Sequence, residues 1–495
     1  MKLRKLISIV LVMILVVSLG KFTIKADVEV NAGSESELVT VINNATEATI
    51  INLTGDITLN NTLRIPSGKT ITLRNETGGG PYKLIGPNGA DTILVDGVLT
   101  IDGIIVTHNN GDWGAGVMIG YGVASTPIGL HGTLYLQSGA ITGNTSDVGA
   151  GVHNNTGTFY MNGGIISGNV AEKSGGGVTN QSHALFYMNG GTIANNEAEN
   201  GGGVSAIGPF YMNGGSIINN YASNNGGGID AALYFGDVMI SNGTIVNNIA
   251  ANRGGGINVN GCNLIMSGGT IEDNRAVFGG AVHLVDFSMS GTLFPATMQT
   301  SGNVTIQNNT ATSPIPGFGG GGIFVTSENY NRLTIAATTV FSGNTASSLS
   351  TPPYNIATLY PNIATLHRSA SFHPLNNYDI NHQEVTVTIN YNANGGSGGR
   401  TFSGAVRLVN IATMSEANVS NGTRVFLGWN TAANGSGTDY AVGQEIALTT
   451  NLVLYAQWQV NTDTPNTGDG FNVLSGTMLL LAGIAIIKTK KTKKS

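Results

Sequence analysis

An asparagine returns every 24 to 28 residues through the middle of this chain, at Asn144, Asn169, Asn196, Asn220, Asn248 and Asn274. Around it six segments align, each with a short apolar piece, the asparagine, and a glycine run closed by a small or apolar residue. GGTIANNEAENGGGV from Gly190 and GGSIINNYASNNGGGI from Gly214 are typical. Looser copies follow at Asn309 and Asn344, each 35 residues further on, and Asn109-Asn110 before Gly114-Ala115-Gly116-Val117 reads as an earlier copy. A fixed period of this kind marks a repeat architecture, in which each unit buries its apolar face only by stacking on its neighbours. With no helical spacing, the period fits one turn of a parallel β-helix holding three short strands. One strand follows the glycines, one is of the Phe-Tyr-Met-Asn type and one of the Gly-Thr-Ile type. Glycine clusters at one corner because it permits positive φ and close approach of stacked backbones. The asparagines are expected to stack as a ladder inside a bend.

Composition narrows the alternatives. Of 495 residues 72 are Gly and 13 Pro, without a Gly-X-Y period, so a collagen triple helix is excluded. Hydrophobic residues make up 41% and the net charge is −6, enough apolar material to bury a core. Only 22 residues are Lys or Arg, too few cations for a nucleic-acid partner. The single cysteine, Cys262, excludes a disulfide framework and a multi-cysteine zinc site. It alternates with Leu264 and Met266 and reads as a buried small hydrophobe. His153, His183 and His283 follow glycine corners on separate coils without metal-ligand spacing, so no metal or cofactor is expected.

The patterns Phe341-Ser342-Gly343-Asn344 and Gly-Gly-Ala/Gly-Val resemble repeats of polymorphic outer-membrane proteins and of pectin-lyase-like β-helix surface proteins. The resemblance implies surface display and adhesion. The fold expected is all-β: a right-handed parallel β-helix over residues 96–345, with an N-terminal cap and first coils at 27–95 and a C-terminal cap and linker at 346–383. Within the cap, Ser34 to Asn44 is expected to be a helix with Ser34 and Glu37 forming a capping box. Ala48 to Leu53 and Lys69 to Leu73 read as strands.

Residues 384–460 break the period. Ile389-Asn390-Tyr391-Asn392-Ala393-Asn394-Gly395-Gly396, Phe426-Leu427-Gly428-Trp429-Asn430 and Leu452-Val453-Leu454-Tyr455-Ala456-Gln457-Trp458 resemble the Listeria–Bacteroides, or internalin B-type, repeat. That family implies a small β-grasp-like module serving as spacer or interaction unit on bacterial surfaces. Trp429 and Trp458 read as core aromatics of so small a module.

The two ends give an address. A basic start, an apolar run from Leu6 to Leu19 and Ala26 form a signal peptide over residues 1–26. In residues 461–495, Thr464-Pro465-Asn466-Thr467-Gly468 precedes an uncharged run, 471–487, and a Lys-rich tail. This resembles the sorting signal of Gram-positive cell-wall proteins, with Thr464 where that family carries Leu. The resemblance implies that a sortase thiolate attacks the Thr467 carbonyl, Gly468 leaves, and a peptidoglycan amine takes the acyl group. The run would hold the chain in the membrane only before sorting.

Two surface features are candidates for function. One column, five residues before each post-glycine apolar position, holds Asp112, Asp147, Lys173 and Glu199. On neighbouring coils these charges are either a polysaccharide lyase or hydrolase site or a solvated corner. Glu272, Asp273 and Arg275 form a second charged cluster with the same bland explanation. The other feature is a stripe: if Phe159, Phe186, Phe210 and their equivalents fill the core, strand alternation puts Tyr135, Tyr160, Tyr187 and Tyr211 outside on consecutive coils. Such a stripe either binds a glycan or protein partner or stabilises the sheet from outside. The leading expectation is a secreted, wall-attached adhesin or display element; the runner-up is a wall-tethered polysaccharide lyase or hydrolase.

Overall fold

The computed structural model describes residues 27–120, 131–232, 236–314, 319–325, 327–347, 379–380, 386–405, 407–422, 424–448 and 451–460. The signal peptide, the sorting motif Thr464 to Gly468, the apolar run 471–487 and most of the 346–383 linker lie outside them. No helix among the described residues is long and apolar enough to cross a membrane. The chain divides into two compact units: residues 1–388 with 403–409 and 445–451, and residues 389–402, 410–444 and 452–495.

The first unit is a stack of short parallel strands. A 21-stranded sheet takes two strands from most coils, as Thr158–Met161 and Ile165–Ser167 do for one of them. A ten-stranded sheet runs from Leu63–Ile65 to Ile323–Phe324, and a seven-stranded sheet from Thr145–Val148 to Thr310–Ala311. Strands of one coil pair in parallel with those of the next, as Thr158–Met161 does with Leu185–Met188. This is the strand pattern of a β-helix solenoid.

From Thr145 onward the coils carry four strand segments where the sequence suggested three, two of them merging into one strand in Asn263–Glu272 and Thr297–Gln307. The extra one directly follows the ladder asparagine, as in Val170–Ser174, and its apolar alternation is only an alanine. Ala150, Ala171 and Ala198 bury against one another, as do Ala222, Ala250 and Ala276. These strands close on the glycine corner: a Cβ on Gly176 would lie 2.4 Å from the carbonyl oxygen of Glu197. Only alanine and glycine fit between two backbones so close.

The glycine opening each corner has φ near +60° to +66°, at Gly149, Gly175, Gly201, Gly226, Gly254, Gly279 and Gly320. It folds the chain back over the outer face of the ten-stranded sheet. Thr179, Ser205, Asp230, Asn258 and His283 are therefore buried although they point away from the main core. That core holds Phe159, Phe186 and Phe210, stacked with centroids 4.7 Å apart, and a column of isoleucines including Ile166, Ile193 and Ile217. Burying each such side chain contributes about 2–3 kcal/mol.

The asparagine ladder is continuous from Asn144 to Asn344. Each Oδ1 accepts from the backbone N–H and the Nδ2 of the ladder residue one coil earlier; for Asn220 the donors are in Asn196, both at 3.0 Å. From Asn169 onward each Nδ2 also donates to an isoleucine carbonyl, Ile193 in the case of Asn220. Backbone partners fix every amide the same way round, so the NH2 ends all point toward later coils. Asp379 closes that end, its Oδ1 accepting from Asn344 at 3.0 Å. At the carbonyl end stands His108, Nδ1 2.9 Å from Asn144 Oδ1. The earlier copy thus enters the ladder through His108, and not through Asn109 or Asn110.

Spacing of 35 residues beyond Asn274 reflects additions outside the coil. An antiparallel hairpin, Phe287–Met289 with Thr292–Phe294, fills the first interval, and a 3-10 helix, Ser327–Arg332, lies in the second. At the start, helix α1 spans Glu35–Asn44 and buries Leu38 and Ile42. Ser34 accepts from the Glu37 N–H at 3.4 Å, and Glu37 accepts from the Gly33 N–H at 2.7 Å, one residue earlier than in a standard capping box. Thr49–Leu53 and Thr70–Asn75 are paired parallel strands.

The second unit is built on a mixed six-stranded sheet in which Ile389–Asn392 runs parallel to Leu452–Tyr455. Trp429 is buried and donates from Nε1 to Ala412 O at 2.8 Å; half-buried Trp458 donates to Ala393 O at 2.8 Å. Tyr391 meets Trp429 edge-on at 4.7 Å, and Phe426 meets both indoles. Both tryptophans are core anchors. Among its described residues no helix crosses the sheet, which separates it from the β-grasp-like expectation.

Candidate functional site

The four tyrosines stand where alternation put them. In each strand the phenylalanine or leucine and the methionine or leucine face the core, and the residue between them faces out. Tyr135, Tyr160, Tyr187 and Tyr211 stack with centroid separations of 5.0, 5.0 and 4.7 Å and interplanar angles of 8° to 10°. The rise of a parallel sheet sets this spacing. Each tyrosine is half-buried, its ring faces on its neighbours. Burial and the flanking phenols of Tyr211 and Tyr160 push the Tyr187 hydroxyl above the usual range, so it stays protonated at neutral pH. Thr100 adjoins Tyr135 at one end and Met239 adjoins Tyr211 at the other.

A second row, not anticipated from the sequence, runs beside the tyrosines. Asn189 donates to Asn162 at 2.8 Å, Asn213 to Asn189 at 2.9 Å, and Ser241 to Asn213 at 3.1 Å, all exposed. The signal was present in the Met-Asn ending of each strand. A stack of aromatic rings flanked by amides offers a stripe of apolar contact and directional hydrogen bonding together.

The charged column is brought together only in part. Asp147, Lys173 and Glu199 each precede a residue of one registered row, Val148, Ser174 and Asn200. Asp112 is not among them: its N–H closes a turn on Asn109, before the seven-stranded sheet begins. The sequence count failed there because that coil lacks the extra strand. Lys173 Nζ lies 3.1 Å from Asp147 Oδ2, with the two side chains 65% and 55% exposed. A pair so exposed contributes little to stability and neutralises the column's first acid. Glu272 and Arg275 flank Asp273, whose φ of 55° belongs to the bend before the ladder.

The other candidates resolve as structure. Cys262 is buried, and burial together with Asp237 pushes its thiol up to about 12, which excludes a nucleophile at neutral pH. Asp230 accepts from Asn258 at 2.8 Å, and His283 Nδ1 lies 2.9 Å from Asn258 Oδ1. Burial pushes the Asp230 carboxyl up to about 6 and holds His283 down to about 3, Arg253 adding to the latter. No group of three or more metal-ligating side chains occurs among the described residues.

Residues 388–457 match the Listeria-Bacteroides repeat domain (List_Bact_rpt). That repeat is typical of surface or extracellular proteins. No curated protein and no solved structure matches the chain.

Proposed function

We propose that this is a secreted, cell-wall-attached surface protein whose solenoid binds a glycan or protein partner along the tyrosine ladder. The observation that carries the reading is the run of four stacked, nearly parallel tyrosine rings beside an exposed amide row on one sheet. Exposed apolar stripes of this kind mark interaction surfaces. The repeat module agrees with display outside the cell, and Thr464 to Gly468 with the run and lysines behind it agree with sorting. In that step a sortase thiolate attacks the Thr467 carbonyl carbon and the Gly468 amine leaves. A peptidoglycan amine then takes the acyl group and restores the thiolate. The runner-up, a polysaccharide lyase or hydrolase, draws support from Asp147 and Glu199, two strands apart in one sheet, but Lys173 stands on the strand between them and pairs with the first.

The test incubates the full-length chain with acidic and neutral polysaccharides and follows both retention and soluble products. Retention without product is expected. Product release that disappears in Asp147→Ala would make the column an active site and overturn the binding reading. For the address, Thr467→Ala expressed in a sortase-bearing host is expected to leave the muramidase-released wall fraction. Wall attachment unchanged by that substitution would remove the sorting step.

A further inference from the structure

The outer face of the ten-stranded sheet is roofed only where the folded-back glycine corner exists, and the first such corner is Gly149. Upstream, the equivalent outward residues Leu94 and Met118 are open, and His153 stands at the boundary. The result is a pocket of about 500 Å³ with Leu94 and Met118 as its floor. Trp113 and the end strand of the seven-stranded sheet, with Asp147, wall it, and Asp91 and His153 complete the polar lining. Its volume falls in the range of small-ligand sites.

Trp113 is 37% exposed, unlike the indole of Trp429. It is nevertheless held firmly. Its backbone N–H donates to Asn88 Oδ1 at 3.0 Å and its backbone carbonyl accepts from the Gly89 N–H at 2.6 Å. The next N–H, of Gly114, donates to Thr145 O at 2.7 Å. Asp91 is fixed in turn, accepting from the Ala115 N–H at 2.9 Å. An exposed indole on a fixed backbone, beside an apolar floor and two carboxylates, is a partly prearranged surface, which lowers the ordering cost of a ligand.

We propose that this pocket binds a neutral saccharide unit. A pyranose has apolar C–H faces that match the indole and the Leu94–Met118 floor, and hydroxyl groups at its rim that donate to carboxylates in charge-assisted hydrogen bonds. Asp91 and Asp147 are acceptors for those hydroxyls; the Asp91 charge repels an acidic sugar, while that of Asp147 is paired with Lys173. Burial pushes His153 down, against the pull of Asp91, leaving the imidazole neutral with one donor and one acceptor at neutral pH. The site lies on a different sheet from the tyrosine ladder and stands without it.

Tryptophan fluorescence and calorimetry of the full-length chain test the proposal with cellobiose, mannobiose and N,N′-diacetylchitobiose as neutral probes and digalacturonate as the acidic one. At least one neutral probe is expected to give a saturable signal below about 10 mM, within reach of a weak single-site interaction. Trp113→Phe is expected to abolish the fluorescence change, and Asp147→Asn, at an exposed carboxylate, to weaken calorimetric binding about tenfold. Leu293→Ser, at an exposed hairpin side chain outside both the pocket lining and the ladder, is expected to leave both unchanged. No saturation with any neutral probe, digalacturonate binding as tightly as the neutral sugars, or binding indifferent to Asp147→Asn would each overturn it.

Discussion

At the residue scale, Asp230 shows how the folded-back corner shapes a side chain. Its carboxyl is buried behind Gly226, and its ordinary value of 3.8 rises to about 6. Between those values the folded state holds a proton that the unfolded chain has released. Its contribution is fully present below about pH 3.8 and is lost as pH rises through about 6. Asp230→Asn keeps an acceptor for Asn258 and removes the charge, so it is expected to stabilise the solenoid at pH 7 by on the order of 3 kcal/mol. At pH 4 the gain should vanish. His283, held low, has the opposite slope in both proteins and cancels in the difference. Melting temperatures of the two proteins at the two pH values check this, and an equal gain at both would contradict it. The residue before every ladder asparagine from Asn144 to Asn344 has positive φ, and each is Gly, Asn or Asp, as at Gly168, Asn219 and Asp273. Asn219→Gly is expected to be near neutral and Asn219→Ala to cost about 1 kcal/mol in urea unfolding. That rule is written in the repeats, yet it became readable only with the backbone angles beside them.

At the element scale, the ladder is the part of the solenoid that side-chain chemistry specifies most tightly. Asn220 accepts two hydrogen bonds and donates two, all buried. Asn220→Ala removes four buried hydrogen bonds and leaves the Asn196 N–H without its acceptor, and is expected to cost about 3–5 kcal/mol. Asn189→Ala, in the exposed row beside the tyrosines, is expected to cost less than about 1 kcal/mol, because water replaces the lost partner. Equal costs in denaturant titrations would show that the buried ladder is not the specifying element. The ladder is also polar as a whole: its amide NH2 ends face the Asp379 carboxylate and its carbonyl end faces the His108 imidazole. The period alone located the interior of this element, from Asn144 through Asn344. It could not locate the ends, because a ladder's terminal partner need only donate or accept, and histidine and aspartate meet that requirement without being asparagine. The fourth strand was hidden for a related reason: packed on glycine, it needs alanine and no apolar run.

At the scale of the whole molecule, one regular coil yields two different surfaces. Repetition of Tyr at a fixed step produces the ladder, and the sequence alone showed which four residues form it. Interruption of the pattern, where the seven-stranded sheet begins at Thr145, produces the pocket around Trp113. No motif announces that second site, since Asp91, Trp113 and the pair Asp147 and His153 come from three coils and meet only through register. The account centres on the ladder as a binding surface. Its most direct test is the double substitution Tyr160→Leu/Tyr187→Leu in the full-length chain. Binding would be compared on glycan and surface-protein arrays against the unmodified protein, with thermal melting alongside. Leucine suits the sheet and removes the stack, each ring pair being worth about 0.5–1.5 kcal/mol. Loss of the array signal with cooperative melting retained is the expected result. Undiminished binding alongside a lowered melting temperature would make the tyrosines an external brace and contradict the account.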